Sequence, residues 1–230
     1  MDTVDGDFLS ECINLTSLVT NCGTLVKREC HATFFQDYLF PEALASKWHS
    51  VFKDADMMTL LGPTDPEHNN HSAGVGAACR QSHRIVKLLA KSELFKAAQA
   101  CGRVEAYLME FADNSVIFFI VYGWTGGHTD REAAQRTDGL FEAIEDELPL
   151  HPPGPSCILG DVNADVADIP TLESMVTIGP WTDCGQQAQL WGGIANQATC
   201  RASEVAQDTR RDFIFVNELL LPAVSGFQVD

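Results

Sequence analysis

Short apolar runs alternate with amphipathic stretches along the chain, and this pattern predicts strands and helices in mixed order. The run 116–121 is apolar at every position, as expected of a strand that is buried on both faces. Strands are predicted at 8–13, 33–35, 102–108, 116–121, 157–159 and 213–216. Helices are predicted at 41–52, 129–148 and 171–176. The order of these elements indicates an α+β fold in which sheets and helices form separate layers.

Polar side chains stand at the ends of the predicted strands. Asn14 follows the first strand, Asp37 closely follows the second, and Tyr122 ends the longest apolar run. In Gly160-Asp161-Val162-Asn163-Ala164 a buried strand delivers a carboxylate and an amide to its end. Carboxylate oxygen suits Mg²⁺ or Mn²⁺, and an amide two residues further can point to the same side and donate to a phosphate.

Each of these residues also has a simpler explanation. Turn chemistry accounts for Asp161 and Asn163, Asn14 suits a strand end, and Tyr122 suits a half-buried core. Asp212 could pair with a neighbouring arginine. Their joint order along the chain is what favours a metal-and-phosphate site over these separate explanations.

Length and composition predict one domain over residues 1–230. The 45% hydrophobic content can supply a large core, and no apolar stretch approaches the length of a membrane span. The acidic N-terminus lacks the features of a signal peptide, so we expect an intracellular protein without a membrane anchor. Eight cysteines without a C-x-x-C pair favour reduced thiols over disulfides or a zinc ribbon.

Charge weakens the case for a nucleic-acid partner. The chain has 15 basic and 32 acidic residues, a net charge of −17, whereas strong nucleic-acid binding needs a concentrated basic surface. A bound cation reverses the local field, so a single phosphodiester could still be bound at a metal site. A zinc site at His68 and His71 is not predicted, because a loop pair lacks a scaffold for further ligands.

Taken together, these motifs resemble the endonuclease/exonuclease/phosphatase superfamily, which includes abasic-site endonucleases, DNase I and LINE-type retroelement endonucleases. The similarity extends over nearly the whole chain. The matching positions, in chain order, are Asn14, Gln36-Asp37, Val121-Tyr122, Gly160 to Ala164, Thr199 and Arg210 to Phe215. The resemblance implies a four-layer αββα sandwich, with two mixed sheets flanked by helices.

The resemblance also implies a metal-dependent site that uses Mg²⁺ or Mn²⁺. Asp37 would hold the ion with support from Asn14, and Asp161 would orient or deprotonate the attacking water. Tyr122 would stabilise the negative transition state, and Asp212 would orient a histidine.

The resemblance further implies substrate contacts from three residues, one of which also has a catalytic role. Asn163 would donate a hydrogen bond to the substrate and assist catalysis. Arg210 and Thr199 would complete the substrate-binding side of the site.

Two departures from the family pattern lower the expected activity. The Ser-Asp-His motif of the family's final strand is not found, and all seven histidines precede Asp212 in the chain. We therefore expect a sandwich without its last strand and without its catalytic histidine. Asp37 stands where the family has glutamate, so its carboxylate is one methylene further from the ion.

The sequence therefore predicts a metal-dependent phosphodiester hydrolase, endonuclease-like and impaired in this chain. Two alternatives stay open, namely a phosphatase or lipid phosphodiesterase on the same fold, and a catalytically dead binding module. We expect nucleic acid as the partner, with affinity reduced by the acidic charge, and a nuclear location if the gene derives from a retroelement. The oligomeric state is not predicted.

Overall fold

A computed structural model of the protein describes residues 8–15, 17–39, 45–68, 73–112, 114–200 and 208–229. These residues form two β-sheets, one of four strands and one of six. The ten strands are β1 Ser10–Asn14, β2 Ala32–Gln36, β3 Met57–Leu61, β4 Val75–Arg80, β5 Arg84–Lys87, β6 Val104–Glu110, β7 Ser115–Tyr122, β8 Ser156–Asp161, β9 Trp181–Asp183 and β10 Asp212–Asn217. The α-helices in the described residues are α1 Leu18–Leu25, α2 Ala45–Asp54, α3 Glu93–Ala100, α4 Arg131–Glu147 and α5 Pro170–Thr177.

Both sheets mix parallel and antiparallel pairs. The four-stranded sheet has the order β1-β2-β4-β3, in which only β1 and β2 are parallel. The six-stranded sheet has the order β5-β6-β7-β8-β10-β9, in which only β7 and β8 are parallel. Helix α4 lies between β7 and β8 in the chain, as a parallel crossover requires.

Three apolar layers hold the sheets and helices together. One lies between the two sheets, where Phe34 of β2 stacks on Phe118 of β7 with ring centroids 4.6 Å apart. A second joins the outer face of the six-stranded sheet to α3, α4 and α5, and includes the fully buried Phe119 and Phe141. The third joins the four-stranded sheet to α1 and α2. The result is the predicted four-layer αββα sandwich.

The strongly patterned elements match their predictions closely. The run 116–121 is β7, and the helix predicted at 129–148 is α4, which begins after its N-cap Asp130. The helix predicted at 41–52 is described only from residue 45, and its first four residues lie outside the described part. Elements α1, β3, β4, β5, α3 and β9 were not predicted. All eight cysteines are free thiols, as expected. No helix in the described residues is long and apolar enough to cross a membrane.

Glycine at two positions lets β7 and β8 approach each other. Gly160 has a φ of +150°, and a Cβ there would lie 1.9 Å from the carbonyl oxygen of Val121. A Cβ on Gly123 would lie 2.0 Å from the carbonyl oxygen of Val162. Any side chain at either position would therefore push these strand ends apart.

We expect Gly160→Ala to destabilise the protein by more than about 2 kcal/mol, because the new methyl group cannot fit without separating β7 from β8. Urea unfolding followed by circular dichroism measures this loss. Gly139→Ala in α4 is the matched control, since a Cβ there meets nothing within 4 Å. It should leave stability unchanged or raise it by about 0.5–1 kcal/mol. Equal stabilities of the two variants would contradict this account of Gly160.

Candidate active site

Three adjacent strands of the six-stranded sheet bring the central side chains together. In the parallel pairing of β7 with β8, Tyr122 lies opposite Asp161. In the antiparallel pairing of β10 with β8, Asp212 also lies opposite Asp161. The end of β8 thus places one carboxylate between a phenol and a second carboxylate.

The Asp161 carboxylate is held by N–H donors at both of its oxygens. The side-chain amide of Asn14, on β1 of the other sheet, donates to Oδ2 at 3.0 Å. The backbone N–H of Asn163 donates to Oδ1, also at 3.0 Å. The first bond joins the two sheets across their interface, and together the bonds fix the orientation of the carboxylate.

Burial and a neighbouring acid both disfavour the ionised form of Asp161. Burial raises its pKa most, and the negative charge of Asp212 adds to this, so that the pKa is about 7 in spite of the two donors. Burial likewise raises the pKa of Asp212, while the Thr199 hydroxyl and Arg210 act in the opposite direction. The site therefore holds two acids whose charges oppose each other near neutral pH.

Asp37 and Tyr122 form a second pair at the same edge of the sandwich. Asp37 follows β2 with a left-handed φ of 54°. Burial raises the pKa of its carboxyl, whereas the backbone N–H of Ala73, the charge of Arg103 and the Tyr122 hydroxyl each lower that pKa. Burial and the charges of Asp37 and Asp161 raise the pKa of Tyr122, so its phenol stays protonated.

Arg103 is a central residue that sequence reasoning missed. It lies just before β6, is 4% exposed, and its guanidinium donates to the Gly123 carbonyl oxygen at 3.1 Å. The side-chain amide of Asn163 donates to the same oxygen, also at 3.1 Å. The guanidinium carbon of Arg103 lies 5.1 Å from the centre of the Tyr122 ring. No motif marks a single arginine before a strand, so only the fold reveals its position.

The predicted substrate residues on the β10 side have structural partners. The Thr199 hydroxyl accepts hydrogen bonds from the backbone N–H groups of Arg211 and Asp212, both at 3.0 Å. Arg210 forms a bidentate ion pair with Asp183, at 2.9 Å for the longer contact, and lies over the Phe213 ring. Thr199 therefore positions Asp212, whereas the guanidinium of Arg210 is already engaged on β9.

The donor set fits a divalent cation that needs few protein ligands. Two buried oxygens, Oε1 of Gln36 and Oδ1 of Asp212, have no hydrogen-bond partner in the described part of the protein. Burial is the main cause of the raised pKa values of Asp37, Asp161 and Asp212, so the ionised form of each carboxylate is poorly solvated. No three acidic, histidine or cysteine side chains converge as a complete metal cage within the described residues. Mg²⁺ commonly binds to one or two carboxylates and keeps several waters.

Solved structures share this architecture. A 3′-5′ exonuclease (NExo) from Neisseria Meningitidis superposes with a TM-score of 0.69, at 15% identity, over 96% of this chain and 90% of that one. An AP endonuclease from Archaeoglobus fulgidus gives 0.67 at 12% identity, over 93% and 87% of the two chains. The chain has the endonuclease/exonuclease/phosphatase fold.

A third structure with this fold comes from a retroelement. The endonuclease domain of TRAS1, a telomere-specific non-LTR retrotransposon, superposes with a TM-score of 0.57 at 12% identity, over 91% of this chain and 84% of that one. No protein-family model and no curated protein sequence matches the chain. At these identities the likeness establishes the fold alone.

The predicted residues of this fold gather at one end of the sandwich. Tyr122, Asp161 and Asp212 meet through strand register, and Asn14 reaches Asp161 from the other sheet. Asp37 lies close enough to Tyr122 that each affects the pKa of the other. Among the described residues, no histidine forms a hydrogen bond or ion pair with Asp212. The functional roles of these residues stay predictions.

We expect the stability of the protein to fall as pH rises from about 4 to about 7, because the folded state keeps the proton on Asp161 longer than the unfolded state does. A pKa of about 7 against the ordinary 3.8 corresponds to at most about 4 kcal/mol at pH 8. The variant Asp161→Asn has no ionisable side chain at this position, so it should not show this pH dependence.

The measurement is urea unfolding of both proteins in EDTA at several values between pH 4.5 and pH 8. The difference in free energy of unfolding should shift in favour of Asp161→Asn by up to about 4 kcal/mol as pH rises through this window. Any constant cost of the new amide leaves this slope unchanged. A difference that does not vary with pH would show that Asp161 titrates normally.

Proposed function

We propose that this protein is a divalent-metal-dependent phosphodiester hydrolase that acts on nucleic acid in the manner of an endonuclease. One observation carries the proposal. A buried carboxylate, Asp161, is held by two N–H donors and lies opposite both Tyr122 and Asp212 at the end of a sheet. This geometry suits a general base with a proton donor beside it.

Asp37 and Asn14 would hold the metal ion. Asp37 has a carboxylate at the edge of the site, and Asn14 fixes the neighbouring Asp161. When bound, Mg²⁺ or Mn²⁺ would polarise the scissile phosphate and stabilise the leaving oxygen. Because Asp37 is shorter than a glutamate, we expect water or substrate oxygens to complete the coordination.

Asp161 would accept the proton of the attacking water. With a pKa of about 7, a substantial fraction of the carboxylate is ionised at neutral pH, and its basicity exceeds that of an ordinary aspartate. Asn14 and the backbone of Asn163 hold it in one orientation, so little reorganisation is needed.

Tyr122 and Asn163 would stabilise the negative charge of the transition state. The Tyr122 phenol stays protonated because burial and two nearby acids raise its pKa. The Asn163 amide has two hydrogens, one of which already donates to Gly123 and fixes the side chain. Its second hydrogen is available to a phosphate oxygen, and preorganised donors of this kind act strongly on developing charge.

We expect slow catalysis, because Asp212 has no histidine partner among the described residues. The Thr199 hydroxyl and two backbone N–H groups order this region, but they supply no further acid or base. Asp161 would then act without the second acid-base group that the family resemblance implies.

The similar structures support nucleic acid as the substrate, since their names describe an exonuclease, an AP endonuclease and a retrotransposon endonuclease. One observation favours a second function, a phosphatase or phosphodiesterase that acts on small molecules or lipids. With a net charge of −17, the chain is poorly suited to a long polyanion.

We expect slow Mg²⁺- or Mn²⁺-dependent nicking of supercoiled plasmid, abolished by EDTA. Asp161→Asn should lower the rate by about 100-fold or more, since it removes the general base. Glu145→Gln, an exposed acid on α4, is the control and should keep the wild-type rate. Gel assays with plasmid and absorbance assays with bis(p-nitrophenyl) phosphate give the rates.

Hydrolysis of the small diester without nicking would select the small-molecule or lipid enzyme. If the wild-type protein has neither activity and Mg²⁺ does not raise its melting temperature, the enzyme assignment is rejected and a binding module is left.

A further inference from the structure

Two arginines lie over one tryptophan beside the candidate active site. The guanidinium carbon of Arg103 lies 4.6 Å from the centre of the Trp124 ring, and that of Arg136 lies 4.4 Å from it. Trp124 follows Tyr122 by two residues, and Arg103 also lies over the Tyr122 ring. We call Arg103, Trp124 and Arg136 the arginine–tryptophan stack. It extends from the site toward the exposed surface of α4.

The two arginines of the stack differ in their availability to a ligand. Arg103 is buried and pairs at 3.3 Å with Asp65, which is also buried. The Arg136 side chain is 38% exposed and pairs at 2.7 Å with Glu67, whose side chain is 64% exposed. An exposed pair of this kind contributes little free energy, so another anion can replace Glu67 at low cost. Arg136 is thus the exchangeable cation of the stack.

The stack has more hydrogen-bond donors than acceptors. Nε1 of Trp124 and Nε of Arg103 are both buried without a partner in the described part of the protein. The backbone N–H of Trp124 donates to the Thr137 hydroxyl of α4, which fixes the loop against the helix. Because the partner of Arg136 is an exposed carboxylate, its guanidinium can bind an anionic ligand in exchange, in contrast to the net charge of −17.

We propose that Arg136 is a substrate-binding residue that exchanges Glu67 for a phosphate of a nucleic-acid strand, outside the phosphodiester being cut. Trp124 is the platform that holds the guanidinium in place, and Arg103 fixes that platform from the core side. The inference rests on the proposed function and narrows it, because it makes the preferred substrate a strand with several phosphates.

The test is fluorescence anisotropy with a fluorescein-labelled oligonucleotide and the full chain, in EDTA so that nothing is hydrolysed. Arg136→Gln should raise Kd about ten-fold or more, as expected for one lost charge-assisted hydrogen bond. It should also lower the slope of log Kd against log salt by about 1. Arg131→Gln, an exposed arginine on the same helix, should change both quantities less.

A second variant tests the exchange from the opposite side. Glu67→Gln removes the competing carboxylate and should lower Kd, whereas Glu145→Gln makes the same charge change elsewhere on the surface. A larger decrease in Kd for Glu67→Gln than for Glu145→Gln supports the exchange of Glu67 for a phosphate. Equal decreases in Kd would show only a general effect of charge and would overturn the exchange.

Two further outcomes separate this inference from the proposed function. If the wild-type protein hydrolyses bis(p-nitrophenyl) phosphate but Arg136→Gln and Arg131→Gln bind the oligonucleotide equally, the inference fails and the hydrolase stands. If vesicles that contain phosphatidylinositol phosphates bind through Arg136 and the oligonucleotide does not bind, the nucleic-acid ligand is wrong. Circular dichroism of every variant checks that the fold is intact.

Discussion

The close parallel pairing of β7 with β8 is the constraint on which the candidate site depends. It requires Gly160, because any Cβ at this position would overlap the backbone of Val121. The same pairing places Tyr122 opposite Asp161, and the next strand places Asp212 on the other side. A shift of one residue in either pairing would turn these side chains to the opposite face of the sheet. The site geometry is therefore a direct result of strand register.

Joining the two sheets at this end creates an electrostatic cost as well as a site. Asn14 reaches across the interface to Asp161, so the carboxylate is both fixed and removed from water. Its pKa is about 7, and burial raises the pKa values of Asp37 and Asp212 in the same region. A protein gains little stability from such a cluster alone. Binding a divalent cation would offset the cost, which is the physical argument for a metal here.

The residues that sequence reasoning found are those with a strong local signal. Asp161 and Asn163 follow an unbroken apolar run, and the α4 helix has clear amphipathic spacing after Asp130. Elements β5 and β9 are short and carry mixed residues, so their strand character comes from tertiary pairing. Arg103 gave no signal, because its importance arises from contacts with Gly123 and Asp65 that no spacing encodes.

The positions of the arginines bear on the conflict between an acidic chain and the proposed anionic substrate. Net charge acts over long distances and is screened by salt, whereas a partly buried guanidinium acts on the group beside it. Arg103 and Arg136 lie around Trp124 next to the site, and Arg211 lies just before Asp212. Under the proposed function, the acidic surface would slow nonspecific association with nucleic acid, while Arg136 would bind one phosphate in place of the exposed Glu67. The affinity of such a protein for a nucleic-acid strand would depend on the fit of the strand to the site more than on general electrostatic attraction.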